Sequence, residues 1–199
     1  MRTDWTTHRN MELVLSLLTP ANRLVVELML VTGLRISDAL GITAAQYRHG
    51  QRITIHEQKT GKTRRIYIPK GLYSRLAAEC GDVWLFPGRH ADKHRTRQAV
   101  WKDVKRAAHA LRISVNLAPH SARKIYAVDL YHERGFNAAM HALNHNDQST
   151  TMIYILSDLM MDSDGTTRRT QAGSAATKPR KGRRATGAEG GARAPLLTV

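Results

Sequence analysis

The stretch from Arg52 to Pro69 narrows the possible folds most, because it is the one clear β segment in the chain. Ile53 and Ile55 alternate with Thr54, and Ile66 and Ile68 alternate with Tyr67, the period of two that suits strands with one buried face. Between these runs, Gln58-Lys59-Thr60-Gly61-Lys62 reads as a hairpin turn, with Gly61 where a positive φ is needed. Elsewhere the apolar residues recur at helical spacing. The expected fold is therefore mainly α, with a small antiparallel β hairpin or sheet.

The helices can be placed in order. Met11 to Leu18 predicts a short helix, with Met11, Leu15 and Leu18 on one face and Pro20 as its stop. Ala21 or Asn22 then opens a second helix through Val31, a core helix on its spacing of Val25, Leu28, Met29 and Thr32, and Gly33 ends it. In Leu34 to Leu40, positions 34, 36, 39 and 40 can face the core, which directs Arg35 elsewhere. Arg35 then pairs with Asp38 three residues on, or that pair aims its planar fork at a ligand phosphate. Further helices are expected over Gly71–Glu79 and behind the N-cap Thr96, where Val100, Val104, Ala107 and Leu111 form a stripe. Another is expected from Pro119 to about Glu133, with Gly135 as its stop, and a short one over Phe136–Leu143. Ser149 would cap a last helix carrying Tyr154.

Composition bounds the partners. A chain of 199 residues with 42% hydrophobic residues can form one packed domain and a tail. From Ser163 onward large apolar residues vanish until Leu196, so residues 1–162 read as the folded domain and 163–199 as a disordered basic tail. Lys and Arg total 31 against 16 acids, a formal charge of +15; the tail holds eight cations and two acids, which leaves +9 in residues 1–162. The folded part is basic in its own right and calls for a polyanion, nucleic acid before an anionic membrane surface. No apolar run approaches the ~20 residues of a bilayer span, so no membrane partner is expected. The N-terminus lacks a signal-type apolar core, and the single cysteine, Cys80, excludes an internal disulfide, which points to the cytoplasm.

Between Pro119 and Tyr154 the chain gathers residues suited to a phosphodiester. His120 and Arg123 share a face at the start of a helix opened by Pro119, where free N–H groups and the helix dipole favour an anion. A phenol, Tyr154, follows on the terminal helix. Lys59, Lys62, Arg64 and Arg65 crowd the hairpin, either as a basic finger for a DNA groove or as guards of a sheet edge. Lys102, Lys105 and Arg106 lie on the outer face of the helix behind Thr96, suited to phosphate contacts or to water. His141 and His145 are four apart, but no glutamate lies between them and no third ligand is evident, so no metal site is read. No Walker loop and no carboxylate cluster for magnesium occurs, and no cofactor is expected.

Thr32-Gly33-Leu34-Arg35-Ile36-Ser37-Asp38-Ala39-Leu40, the turn Lys59-Thr60-Gly61-Lys62, His120-x-x-Arg123, Leu143-x-His145 and Tyr154 nine positions later together resemble the tyrosine recombinase, or phage integrase, family. The resemblance covers about residues 10 to 158. It implies the catalytic-domain fold of DNA breaking and rejoining enzymes. It further implies that Arg35 and Arg123 bind the non-bridging oxygens of the scissile phosphate, with His120 and His145 completing the pocket. His120 would take the proton of Tyr154, Tyr154 would form a 3′-phosphotyrosyl link, Lys59 would protonate the leaving 5′ oxygen, and Asp38 would orient the site. The implied activity is site-specific recombination or integration without metal or ATP, on double-stranded DNA in the nucleoid, by a dimer or tetramer. Asn144 stands where the family usually has glycine, and asparagine tolerates the left-handed turn expected there. Little chain precedes the first core helix, where the family carries a core-binding domain. The chain thus reads as a minimal recombinase, a catalytic fragment, or a protein whose partner supplies that half of the clamp. The alternatives are a type IB topoisomerase-like strand transferase and a DNA-binding accessory protein with little cleavage.

Overall fold

The computed structural model of the protein describes residue 4 and residues 6–90, 92–143, 152 and 155, all within the unit Met1–Thr166. Its elements are α1 (His8–Leu17), α2 (Pro20–Thr32), α3 (Ile36–Leu40), α4 (Ala44–Arg48), β1 (Arg52–His56), β2 (Thr63–Tyr67), α5 (Lys70–Leu76), α6 (Arg97–Ala110) and α7 (Pro119–Leu143). The fold is mainly helical with one two-stranded antiparallel sheet, as the two periodicities predict. Among the described residues, no helix is long and apolar enough to cross a membrane.

Helix α2 is the hub. Leu24, Val25, Val26, Leu28 and Met29 are all buried, because α7, α3, α5, α1 and α6 pack around it. A helix covered on most sides needs apolar residues on most sides. Its start corrects the sequence reading: Pro20 does not stop α1 but occupies the first turn of α2, where its missing N–H costs nothing. Helix α1 ends earlier, at Leu17, and begins earlier, at His8, behind the cap Thr7.

The N-terminus of α2 is completed from a distance. The Thr19 side chain makes no cap bond of its own. Asp103 of α6 accepts the Thr19 N–H (3.0 Å), the Thr19 hydroxyl (2.9 Å) and the Asn22 amide (2.8 Å), and on its other oxygen the Arg106 guanidinium. Burial alone would raise this carboxyl, but the donors outweigh burial and draw it down to about 2. Replacing Asp103 by alanine strands the buried Asn22 amide and the N–H of the N-cap Thr19, and we expect a loss of about 3 kcal/mol in denaturant unfolding. Because the folded carboxyl titrates below its unfolded value, this stabilisation is present above the usual aspartate range and disappears as pH falls toward about 2. The stability difference between the parent and Asp103→Ala should therefore narrow in acid; a difference that stays constant down to the acid limit would refute the role.

The hairpin pairs Ile53 with Ile66 and Ile55 with Arg64. Ile53, Ile55, Ile66 and Ile68 are buried, and Gly61 adopts φ +66° in the turn. The alternation that turns Ile66 and Ile68 inward turns Arg64 inward too, and on the other strand it carries Glu57 to the same side. Arg64 is therefore not an outward hairpin cation. Its side chain is 10% exposed, donates to the Thr32 carbonyl and lies 3.9 Å from Glu57.

Within α7 the backbone leaves the helical region at Gly135, whose φ of 80° and ψ of 176° suit glycine alone, so Pro119–Leu143 is two helices meeting at a kink, with the stop at Gly135 and the short second helix where the sequence places them. Near the start of α7, the ring of Tyr126 lies over Gly33. Gly33 closes α2 in the left-handed region (φ 62°), and a Cβ added there would overlap that ring.

Candidate functional site

A cleft of about 640 Å³ opens where the start of α3, the hairpin turn, the loop before α6 and the start of α7 meet. Arg35, Lys59 and His120, drawn from three distant parts of the chain, all line it.

Arg35 sits at the N-cap of α3, its backbone extended because the left-handed Gly33 has just reversed the chain. Its Nη1 donates to Glu57 Oε2 at 2.7 Å, while Asp38 Oδ2 stands 4.0 Å away. The carboxylate three residues on is thus the weaker partner, and the main one comes from the end of β1. Asp38 instead accepts the Gln58 N–H on Oδ1 at 3.0 Å, which ties α3 to the hairpin turn. Burial pushes the Asp38 carboxyl up and Glu57 adds to the rise, against the Gln58 N–H and Arg35. Burial also pushes Glu57 upward, yet the Thr60 hydroxyl and Arg35 hold it below the usual carboxylate range.

Lys59 is exposed on the turn and reaches the cleft by its flexible stem. His120, in the first turn of α7, is lowered to about 4, first by burial and then by the charges of Arg123, Lys124, Arg35 and Lys59. It is therefore neutral at pH 7, the form that can take up a proton.

Arg123 lies one turn further along α7 but does not line the cleft. It is fully buried, with Nη1 on the Gly33 carbonyl and Nη2 on the Leu143 carbonyl at 2.6 Å. The sequence reading set His120 and Arg123 together at an open helix end. The buried residues Leu117, Ala118, Ser121 and Ala122 show that this end is closed over, so only His120 reaches the opening. The charge of Arg123 still acts on His120, Asp38 and Glu57. His145 and Tyr154, together with the turn at Asn144, lie outside the described residues; of the helix expected behind Ser149 only Met152 and Ile155 are described, both helical.

The proposed DNA-contacting cations divide. Lys62 and Arg65 on the hairpin and Lys102 on α6 are exposed. Lys105 donates to the Asn116 side chain and stands 5.8 Å from the Trp101 ring centre. Arg106 is not a free outer cation. Its guanidinium is held by Asp103 at 2.6 Å and by the Leu17 carbonyl, because it faces the α1–α2 junction.

The cleft also contains His94 and Arg97, which the sequence reading passed over inside a basic loop. The Trp84 indole donates to the Asp92 carbonyl at 3.0 Å and meets the His94 ring edge-on, which fixes this loop. His94 Nδ1 lies 2.8 Å from the Arg95 carbonyl, an oxygen that can only accept, so Nδ1 carries the hydrogen. Arg97 lies four residues before Trp101, which is 48% exposed beside an apolar recess next to His120. An exposed tryptophan one turn from a basic loop was the available signal.

Among the described residues, Arg35 at the cleft and the guanidiniums of Arg64 and Arg123 behind it face the buried carboxylates of Asp38 and Glu57.

Comparison with known proteins gives a consistent result. The family model described as phage integrase family matches residues 5–159 of the chain. The tyrosine recombinase XerD of Shewanella oneidensis is 30% identical over 146 residues, covering 67% of this chain and 48% of that protein. The chain thus spans about half the length of the curated relatives it matches. Among solved structures, a lambda integrase (75–356) dimer bound to a COC′ core site superposes with a TM-score of 0.66 at 18% identity, covering 78% of this chain and 60% of that one. The catalytic domain of bacteriophage HP1 integrase gives 0.60 at 21% identity, covering 78% of this chain and 89% of that one.

Proposed function

The chain belongs to the phage integrase family, and from that premise we propose that it cleaves and rejoins double-stranded DNA at specific sites through a 3′-phosphotyrosyl intermediate. The observation that carries the reading is the convergence of Arg35, Lys59 and a neutral His120 on one cleft. The Tyr154 oxygen attacks phosphorus and the bond from phosphorus to the 5′ oxygen breaks. A phenol is a poor nucleophile at its free pKa near 10, so His120 accepts its proton as attack proceeds. Lys59 gives a proton to the departing 5′ oxygen. Arg35 and Arg123 offset the charge that builds on the non-bridging oxygens, His145 completes that pocket, and Asp38 holds the turn of Lys59 in register with α3. The phosphotyrosyl bond keeps the energy of the one it replaces, so the reverse steps rejoin the strand without ATP.

The decisive experiment incubates the protein with a library of nicked suicide duplexes, in which the cleaved end diffuses away, and sequences the DNA trapped on the protein. Covalent adducts on a defined sequence are expected. Binding without any adduct would instead establish a DNA-binding accessory protein. One observation favours that second reading: Arg123 is buried on two backbone carbonyls and does not line the cleft.

The +9 of residues 1–162 and the exposed Lys62, Arg65 and Lys102 support duplex binding by the domain itself. If about six phosphates are neutralised, log affinity should fall against log salt with a slope of about −5. Removing residues 163–199 should weaken this binding and leave a measurable remainder. A truncated protein with no affinity at low salt would take the binding surface away from the domain. Assembly into a dimer or tetramer on DNA, and a partner completing a clamp, belong to the same proposal, to be read by sedimentation of the trapped complex.

A further inference from the structure

We infer that Glu57 is a positioning residue that sets Lys59 and Arg35 relative to each other, an inference that rests on the cleavage reading of the cleft. Glu57 is 1% exposed, carried to the inner side of the hairpin by the alternation of Ile53 and Ile55. One of its oxygens, Oε2, accepts from Arg35 Nη1 and from the Thr60 hydroxyl, both at 2.7 Å. Thr60 follows Lys59 directly, so a single carboxylate oxygen holds the arginine and the residue beside the lysine.

The other flank of Lys59 is tied as well, since the Gln58 N–H donates to Asp38 at 3.0 Å. The turn is closed below by two backbone bonds of 2.9 Å, from Glu57 N to the Lys62 carbonyl and from Gly61 N to the Glu57 carbonyl. Lys59 itself is exposed, with a long stem and no rigid packing of its own. Its reach is therefore set by the backbone it leaves from, and that backbone hangs on Glu57 and Asp38. A neutral residue at 57 would keep the outline of the turn and lose the charge-assisted bonds that hold both functional cations in one frame.

A sulfur substitution separates this role from a merely structural one. When the 5′ oxygen at the scissile position is replaced by sulfur, the leaving thiolate needs no proton, so a misplaced Lys59 no longer matters, while a misaimed Arg35 still does. The probe is the duplex sequence recovered from the suicide library, made once with the ordinary phosphodiester and once with the 5′-bridging phosphorothiolate. For Glu57→Gln we expect trapping of the oxygen duplex to slow by about 100-fold and of the sulfur duplex by about 10-fold or less, a general acid being worth on the order of 10²–10⁴-fold. Affinity for an uncleavable duplex should change by less than about 3-fold. Glu57→Asp, which keeps the charge with a shorter reach, should recover part of the loss on the oxygen duplex. Thr60→Val removes only the link from the turn to Glu57, so it should show a smaller oxygen-specific loss and keeps the test open if Glu57→Gln does not fold. Equal slowing on both duplexes, or no slowing on either, would overturn the inference. A parent protein that traps neither duplex would overturn the cleavage reading itself, and the inference with it.

Discussion

A Tyr154→Phe protein binds the nicked duplex as its parent does and traps none of it. Only one oxygen is removed, so binding contacts persist while the proposed nucleophile is gone, and the expected loss of adduct is on the order of 10³-fold or more. The other tyrosines are poor substitutes. Tyr47 and Tyr73 each donate their hydroxyl to the other's backbone carbonyl, at 2.6 and 2.9 Å, with their rings stacked. Tyr67 stands 54% exposed on the outer face of the hairpin, and Tyr126 lies over Gly33. Tyr131 lies further along α7, two turns past Arg123. Mass spectrometry of the trapped protein should find the nucleotide on the peptide that contains Tyr154. An adduct on any other tyrosine, or undiminished trapping by the phenylalanine variant, would reverse the assignment.

The two arginines should answer differently to the same change. Arg35→Lys keeps a charge beside Glu57 but loses the fork, and cleavage should fall on the order of 10²–10³-fold, the effect of one lost oxyanion donor, with the melting temperature little moved. Arg123→Lys should lose as much cleavage and stability besides. A single ammonium cannot span the Gly33 and Leu143 carbonyls that the guanidinium bridges, and a buried acceptor left bare costs about 1–3 kcal/mol. Near-normal trapping by Arg123→Lys would remove the phosphate clamp from the mechanism. An unshifted melting temperature for that variant would contradict the bridging role.

Much of this was legible in the chain because it is local. The helices announce themselves by spacing, Gly33 and Gly61 by the left-handed backbone they supply, and Thr96 by the bond its hydroxyl accepts from Ala99. Arg35, Lys59 and His120 stood out by motif and do meet at one cleft. What stayed hidden was mostly partner choice across long separations. Arg35 prefers a carboxylate 22 residues away to one three residues away, and besides the nearby Arg106, Asp103 holds Asn22 and Thr19, 81 and 84 residues away. Yet two of these misses had a visible cause. Arg64 and Glu57 share the parity of the buried isoleucines on their strands, and Asp103 sits within the stripe of Val100, Val104 and Ala107. A charged residue in an apolar register is a buried charge awaiting a partner. The closed end of α7 left no such mark, since Ala118 and Ser121 are unremarkable in sequence.

The turn at Gly33 ties together the two arginines of the proposed clamp. Its carbonyl receives Arg123, its bare Cα makes room for Tyr126 from the same helix, and two residues later comes Arg35. The two guanidiniums therefore hang from one rigid joint, and their separation is fixed when the protein folds. Changes at the two arginines should accordingly be non-additive, with a large coupling energy in a double-mutant cycle even where no DNA is present.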